Sequence, residues 1–374
     1  MKLTHYQLFC LLMILVAPVA FLETPHTLVH VLYANSWLGI LTAIIPGLLL
    51  IGMYQYIITK SSRPFPLMLD EHLGKAMGRI IGMIYIPVFI IVCSYTLRLF
   101  IEFMKMIVLP ATPISIFIGV LLLVSFAAIK TGLVNLARVV EIGVPIGYMF
   151  SVAILLVALF CNYHPERLLP LGYINYWSLG LATAINISFL SKLMPVLTLA
   201  YFLDKKQQAG SIQRWVLALF IPLITLASIT IIITRGIIPA LTMTFPTFAT
   251  IRLARIGAFI QNMDIVLVAI WILGIFGAVT IPWFMACYVT QQIFALKDYR
   301  FIAAPSALII GYLSIIICRN NLEVVIWSRT LIPWVYGLFF IAIPFIIFVI
   351  TLFKPYPLDA GSDTANPDTE APPV

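Results

Sequence analysis

Apolar residues fall into ten long runs along this chain, at about 6–25, 37–57, 80–104, 113–129, 139–160, 178–203, 213–235, 264–292, 302–318 and 331–353. As a helix rising roughly 1.5 Å per residue, each run matches a hydrocarbon layer of about 30 Å. Strands are excluded, because alternating segments of membrane-barrel type are absent and unpaired backbone in lipid is too costly for other forms. The pattern predicts an all-α polytopic membrane protein with ten transmembrane helices. The runs divide into two sets of five, and each set opens on an irregular helix: the first carries Pro18 in mid-span, the sixth Lys192 between Ser191 and Pro195. Irregularities at matching places in two halves point to handling of a small solute rather than to anchoring.

Composition agrees, since 62% hydrophobic and 10% charged residues with a mean hydropathy of +1.09 do not describe a soluble core with a wetted surface. The first run reads as retained rather than as a cleavable signal, because no small-x-small site follows it before Glu23 and Pro25. The cysteines Cys10, Cys93, Cys161, Cys287 and Cys318 lie in or beside different spans without metal-ligand spacing, and read as small buried hydrophobes. With the N-terminus inside, thirteen Lys and Arg fall in cytoplasmic segments and seven outside, which places both termini in the cytoplasm. The net charge of +8 is then mostly a topology signal, and nothing calls for nucleic acid.

Three connections exceed short loops. Residues 58–79 contain Arg63-Pro64-Phe65-Pro66 and then a polar stretch of helical spacing at the inner surface, and residues 161–177 form an outer loop ending at Trp177. Within 236–263, Arg252 and Arg255 would share a face of a short interfacial helix. Residues 1–358 read as one transmembrane domain and 359–374 as a disordered acidic cytoplasmic tail.

Polar groups inside the membrane are costly and therefore informative. Lys192 is flanked by Asn186, Ser188 and Ser191 on one side and Pro195 on the other. Proline removes a helical hydrogen bond, so the backbone around 188–192 is expected to open and expose carbonyls. Two readings of Lys192 follow: a broken helix that binds the carboxylate or amine of a small solute, or a lysine snorkelling past a packing kink. Pro18, beside Ala17, invites the same pair and gains weight from its counterpart in the sixth helix. Arg98 and Glu102, four apart on the third run, are expected to form a structural ion pair near its outer end. Tyr95, one turn before Leu99, is placed either in a central cavity or in helix packing. The candidate ligand-binding set is therefore Ala17, Pro18, Tyr95, Leu99, Ser188, Ser191 and Lys192.

No phosphate loop, nucleophile elbow or His-rich metal spacing occurs; His26 and His30 are four apart without a third ligand. The chain reads as a non-enzyme without catalytic residues, metal or cofactor.

Pro246-Thr247-Phe248, Ile251-Arg252, Gly257-Ala258-Phe259-Ile260, Asp264, Trp271-Ile272-Leu273-Gly274 and the run from Gln292 to Arg300 resemble the endospore germination permease family. Gln7, Trp37-Leu38, Leu73-Gly74-Lys75, Gly78, Leu109 to Pro113, Gly132, Ala137-Arg138 and Glu141-Ile142 carry the resemblance across about residues 4–353. The family comprises the membrane-embedded B subunits of nutrient germinant receptors. The resemblance implies a LeuT-like fold of the amino acid, polyamine and organocation transporter superfamily: a 5+5 inverted repeat with broken helices 1 and 6. It implies residence in the spore inner membrane beside a larger A subunit and a lipoprotein C subunit. It also implies binding of a small nutrient at the midplane, where unequal affinity for resting and active states triggers germination. Three positions depart from the family pattern: Pro18 stands where a glycine is usual, Lys192 where a glutamate is common, and Asn262 where an arginine precedes Asp264. An exchange of carboxylate for ammonium changes the ligand charge a pocket tolerates. The alternatives are a proton- or sodium-coupled secondary amino acid transporter, disfavoured because Glu102 is the only acid read well inside a run, and a subunit that only scaffolds a complex.

Overall fold

The computed structural model describes residues 2–170, 175–252 and 263–353. Arg255, the Gly257 to Ile260 string, Asn262 and the tail from 359 lie outside the described residues. The first half of the chain folds as α1 (His5–Leu32), α2 (Ser36–Leu41), α3 (Ile44–Lys60), α4 (Leu67–Leu73), α5 (Lys75–Phe103), α6 (Ile114–Thr131) and α7 (Leu133–Cys161). The second half folds as α8 (Tyr176–Leu190), α9 (Val196–Leu199), α10 (Ala209–Arg235), α11 (Ile237–Thr242), α12 (Pro246–Ile251), α13 (Met263–Phe294), α14 (Arg300–Ile316), α15 (Asn321–Arg329), α16 (Leu331–Val335) and α17 (Ile343–Phe353). Among the described residues the only β-pairing is an isolated bridge between Leu3 and Leu203. Eight helical segments are long and apolar enough to cross a membrane, and Ile44–Lys60 and Arg300–Ile316 are shorter apolar helices. The chain is an all-helical, multi-pass membrane protein.

Position in the bundle follows from side-chain chemistry. α6 and α7 turn large apolar residues outward, including Val120, Leu123, Ile142, Ile146 and Met149, as a lipid-facing helix must. By contrast α1 and the segment around α8 and α9 are largely enclosed. α1 packs against α7, α8, α10 and α13, while α5 packs against α13 and α14. Gly78 permits one tight junction, because a Cβ there would lie 2.6 Å from the Asp70 amide nitrogen of α4. Only glycine admits that approach.

Helix 1 departs from expectation twice. It continues to Leu32, seven residues past Pro25 where the run was thought to end, and it keeps α geometry through both Pro18 and Pro25. Each proline removes one helical hydrogen bond, and tertiary partners can satisfy what is freed. Pro25 leaves the Phe21 carbonyl without its i+4 amide, and the Thr247 hydroxyl of α12 donates to that oxygen at 3.1 Å. The expected break in helix 1 is therefore absent.

The sixth helix does break, but tightly. α8 ends at Leu190, Ser191–Leu193 form a 3₁₀ turn, and α9 begins after Pro195. Local bonds replace the lost ladder: Met194 N donates to Ser191 O and Leu197 N to Met194 O, both at 2.9 Å. Of the carbonyls expected to be exposed around 188–192, Ser191 O takes the Met194 amide and Ser188 O the Ser191 hydroxyl. A strap from the α3–α4 connection holds the segment after the break. Phe65 N donates to Leu197 O at 3.3 Å, the Thr198 hydroxyl to Phe65 O at 3.0 Å, and the Tyr201 hydroxyl and Lys206 Nζ both to Ser61 O at 2.9 and 2.6 Å.

Between α16 and α17 the backbone widens into a π-helix, Tyr336–Ala342. Widening frees carbonyls from the α ladder. Tyr85 donates its hydroxyl to Phe339 O at 2.5 Å, and Tyr54 donates to Phe340 O.

Candidate functional site

Four buried side chains from four elements meet beside the break: Glu23 of α1, Tyr95 of α5, Lys192 of the 3₁₀ turn, and Tyr336 at the start of the π-helix. The Tyr95 hydroxyl donates to Glu23 Oε1. Glu23 Oε2 is buried with no hydrogen-bond partner among the described residues, and so is the Tyr336 hydroxyl. The Lys192 ammonium lies 5.0 Å from the Tyr336 ring centroid and 5.7 Å from that of Phe189. Glu23 and Lys192 belong to the same buried cluster, yet the two side chains are not among the ion pairs that close within 4.0 Å. Enclosing opposite charges without closing a salt bridge is costly, because neither is compensated by direct contact. Ring faces offset part of the cost for Lys192, since a desolvated ammonium is attracted to the aromatic quadrupole.

The sequence-derived candidates separate into groups. Tyr95 and Lys192 belong to this cluster. Ser188 and Ser191 are buried next to it, but their hydroxyls donate to Ile185 O at 2.7 Å and to Ser188 O at 2.6 Å, so both are committed to their own helix. Ala17 and Pro18 face elsewhere, into an apolar cavity shared with Trp271 and Gly274, and Trp271 Nε1 donates to Pro18 O at 3.0 Å. Leu99 is buried beside Glu23, where both line a small gap with His26, Asn321 and Ser328. Arg98 and Glu102 form an ion pair at 2.5 Å with both side chains nearly enclosed.

Sequence reasoning missed Glu23, Tyr336 and the polar contacts of His26. Arg329 of α15 lies 3.2 Å from His26 Nε2, and the His26 and His30 rings meet edge to face at 5.0 Å. With the first run bounded at 6–25, Glu23 falls at its very end and does not count as an acid well inside a span. The signal against that reading was present: Leu28, Val29, Val31 and Leu32 continue the apolar pattern past the proline. Among the described residues no group of three or more His, Cys, Asp or Glu is placed to hold a metal ion.

Two positions that carried the family resemblance touch: Gln7, which closes a capping box with Thr4 at the start of α1, also donates Nε2 to Glu141 Oε2 of α7 at 3.1 Å. Comparison with known proteins agrees with that resemblance. The chain is 24% identical to spore germination protein KB of Bacillus subtilis (strain 168) over 362 residues, 94% of this chain and 95% of that protein. It is 26% identical to spore germination protein A2 of the same organism over 340 residues, 86% of this chain and 88% of that one. A putative spore germination protein, YfkT, matches at 26% over 211 residues, about half of each chain. The family described as spore germination protein, the spore permeases, matches residues 2–322, and with helices that cross a membrane throughout that range the chain belongs to it.

Proposed function

We propose that this protein is the membrane subunit of a nutrient germinant receptor, working with A and C subunits in the spore inner membrane with both termini on the core side. It binds a small nutrient at the midplane and triggers germination. The observation that carries the reading is the enclosed, unclosed pair Glu23 and Lys192 beside the break in the sixth helix. An amino acid fits it: its ammonium takes the unpartnered Glu23 Oε2, its carboxylate takes Lys192, and Tyr95 holds the Glu23 carboxylate in place. Occupancy compensates both charges at once and so favours the ligand-bound arrangement.

The LeuT-like inverted repeat is part of this proposal. Its support is pairwise: α1 packs on α8, α3 on α10, α5 on α13 and α6 on α14, which joins the first, second, third and fourth spans of one half to their counterparts in the other. The second reading, a secondary transporter, gains from Glu23, the mid-span carboxylate that such coupling requires. Spores lacking the gene, challenged with amino acids, sugars and nucleosides and scored by loss of refractility and release of dipicolinic acid, test the receptor. Selective loss of response to one class is expected. A normal response to all, with solute uptake lost, moves the assignment to transport.

A further inference from the structure

A cavity of about 80 Å³ lies between α1, α7, α10 and α13, on the opposite face of α1 from the charged cluster. Six residues at about 100° each separate Ala17 from Glu23, which puts them on different sides of the helix. The cavity is walled by Ala17, Pro18, Val144, Leu223, Ile270 and Trp271 among others, and among the described residues no charged side chain lines it. Three lining side chains carry polar atoms, and each is already engaged. Tyr148 donates to Leu219 O at 3.2 Å, Ser151 to Gly147 O at 2.7 Å, and Trp271 to Pro18 O at 3.0 Å. Water entering such a space would find no free side-chain donor among these three and only the lone pairs of two hydroxyls that already donate, so the cavity favours an apolar guest.

Its walls also resist collapse. Gly147 and Gly274 bring α7, α13 and α1 as close as backbone allows, because a Cβ at Gly274 would sit 2.7 Å from Pro18 Cγ and one at Gly147 2.8 Å from Ile270 Cγ2. With the helices already in contact on both sides, the gap beside the single methyl of Ala17 cannot close by simple approach.

We infer that this cavity is a binding site for a small, uncharged apolar molecule of a few heavy atoms, such as a short alkyl or halogenated hydrocarbon, separate from the charged cluster. The pocket is open at one side, and its volume of about 80 Å³, roughly half that of the engineered 150 Å³ cavity that takes benzene or xenon, sets the size of guest.

Trp271 supplies a reporter. Dibromomethane titrated into the detergent-purified full chain quenches tryptophan emission through its heavy atoms. Partition into the micelle gives quenching that rises linearly, whereas a bound guest adds a saturable part. The expected result is a saturable component in the native protein that is lost in Trp271→Phe, which removes the reporter, and in Ala17→Leu and Ser151→Leu, which fill the space. Linear quenching throughout overturns the site, as does a saturable component that survives in both filled variants. Should neither filled variant fold, Trp271→Phe decides, because saturable quenching retained in full there places the guest elsewhere.

Discussion

Thr247 of α12 donates to the Phe21 carbonyl of α1 at 3.1 Å, the carbonyl that Pro25 deprives of its helical amide. A connecting helix thereby repairs a central one, and α1 stays continuous up to the level of Glu23.

Loss of that hydroxyl leaves a buried carbonyl unsatisfied, since both residues are enclosed. Thr247→Val keeps the shape and is expected to destabilise the protein by about 1–3 kcal/mol. Pro25→Ala restores an amide to Phe21 O, so Thr247→Val in that background should cost much less. Thermal unfolding of the four purified proteins closes the cycle, and equal costs in both backgrounds would refute the repair.

Glu102 pairs with Arg98 at 2.5 Å in a nearly enclosed setting. Removing one charge strands the other, a loss of about 3–5 kcal/mol for buried pairs. Glu102→Gln is expected to lower the amount of protein in the membrane, measured by immunoblot, while leaving nutrient preference unchanged among the molecules that remain. A shifted preference at normal abundance would instead make the pair part of the binding site.

The strap around Ser61 carries a pH dependence. The His72 imidazole of α4 lies 2.9 Å from the Ser61 hydroxyl, and burial holds it below the usual histidine range, with Glu71 opposing that shift. A depressed folded-state value means that the unfolded chain binds the extra proton first. Stability from this group is therefore complete above about pH 6.5 and is lost as acid carries the pH down toward the folded value. Melting temperature followed from pH 8 to 5 should fall in that window, and His72→Gln should flatten the fall. An unchanged profile in the variant assigns the acid sensitivity to other groups.

Most of the fold was legible because burial in lipid forces a simple code, in which apolar runs of span length become helices. What stayed hidden had non-local causes. Pro25 breaks one hydrogen bond wherever it sits, and only Thr247, 222 positions later, decides whether the helix survives. The same bound put Glu23 at the end of its run, and so hid a carboxylate that shares a cluster with Lys192. Ser188 and Ser191 had the right chemistry in the right place, yet a hydroxyl three residues beyond a helix carbonyl bonds to it, and this competition does not depend on a ligand. Ala17 and Pro18 face away from Glu23 and Lys192, which becomes visible only when Trp271 and Gly274 are brought against them.

The charged cluster makes a prediction that separates binding from support. If Glu23 and Lys192 each hold one end of an amino acid, neutralising either weakens the intact nutrient but spares an analogue that lacks the matching charge. Glu23→Gln keeps an acceptor for Tyr95 and nearly the same volume, so it should fold. It is expected to raise the nutrient concentration for half-maximal germination about tenfold or more, equivalent to at least about 1.4 kcal/mol, while narrowing the difference between the amino acid and its des-amino acid. Lys192→Met should do the same with respect to the corresponding amine. Dose-response curves on spores with matched amounts of protein give both numbers. A purely structural role lowers abundance without changing the ranking of nutrient and analogue, because a site that makes no contact with either charge has no means of telling them apart.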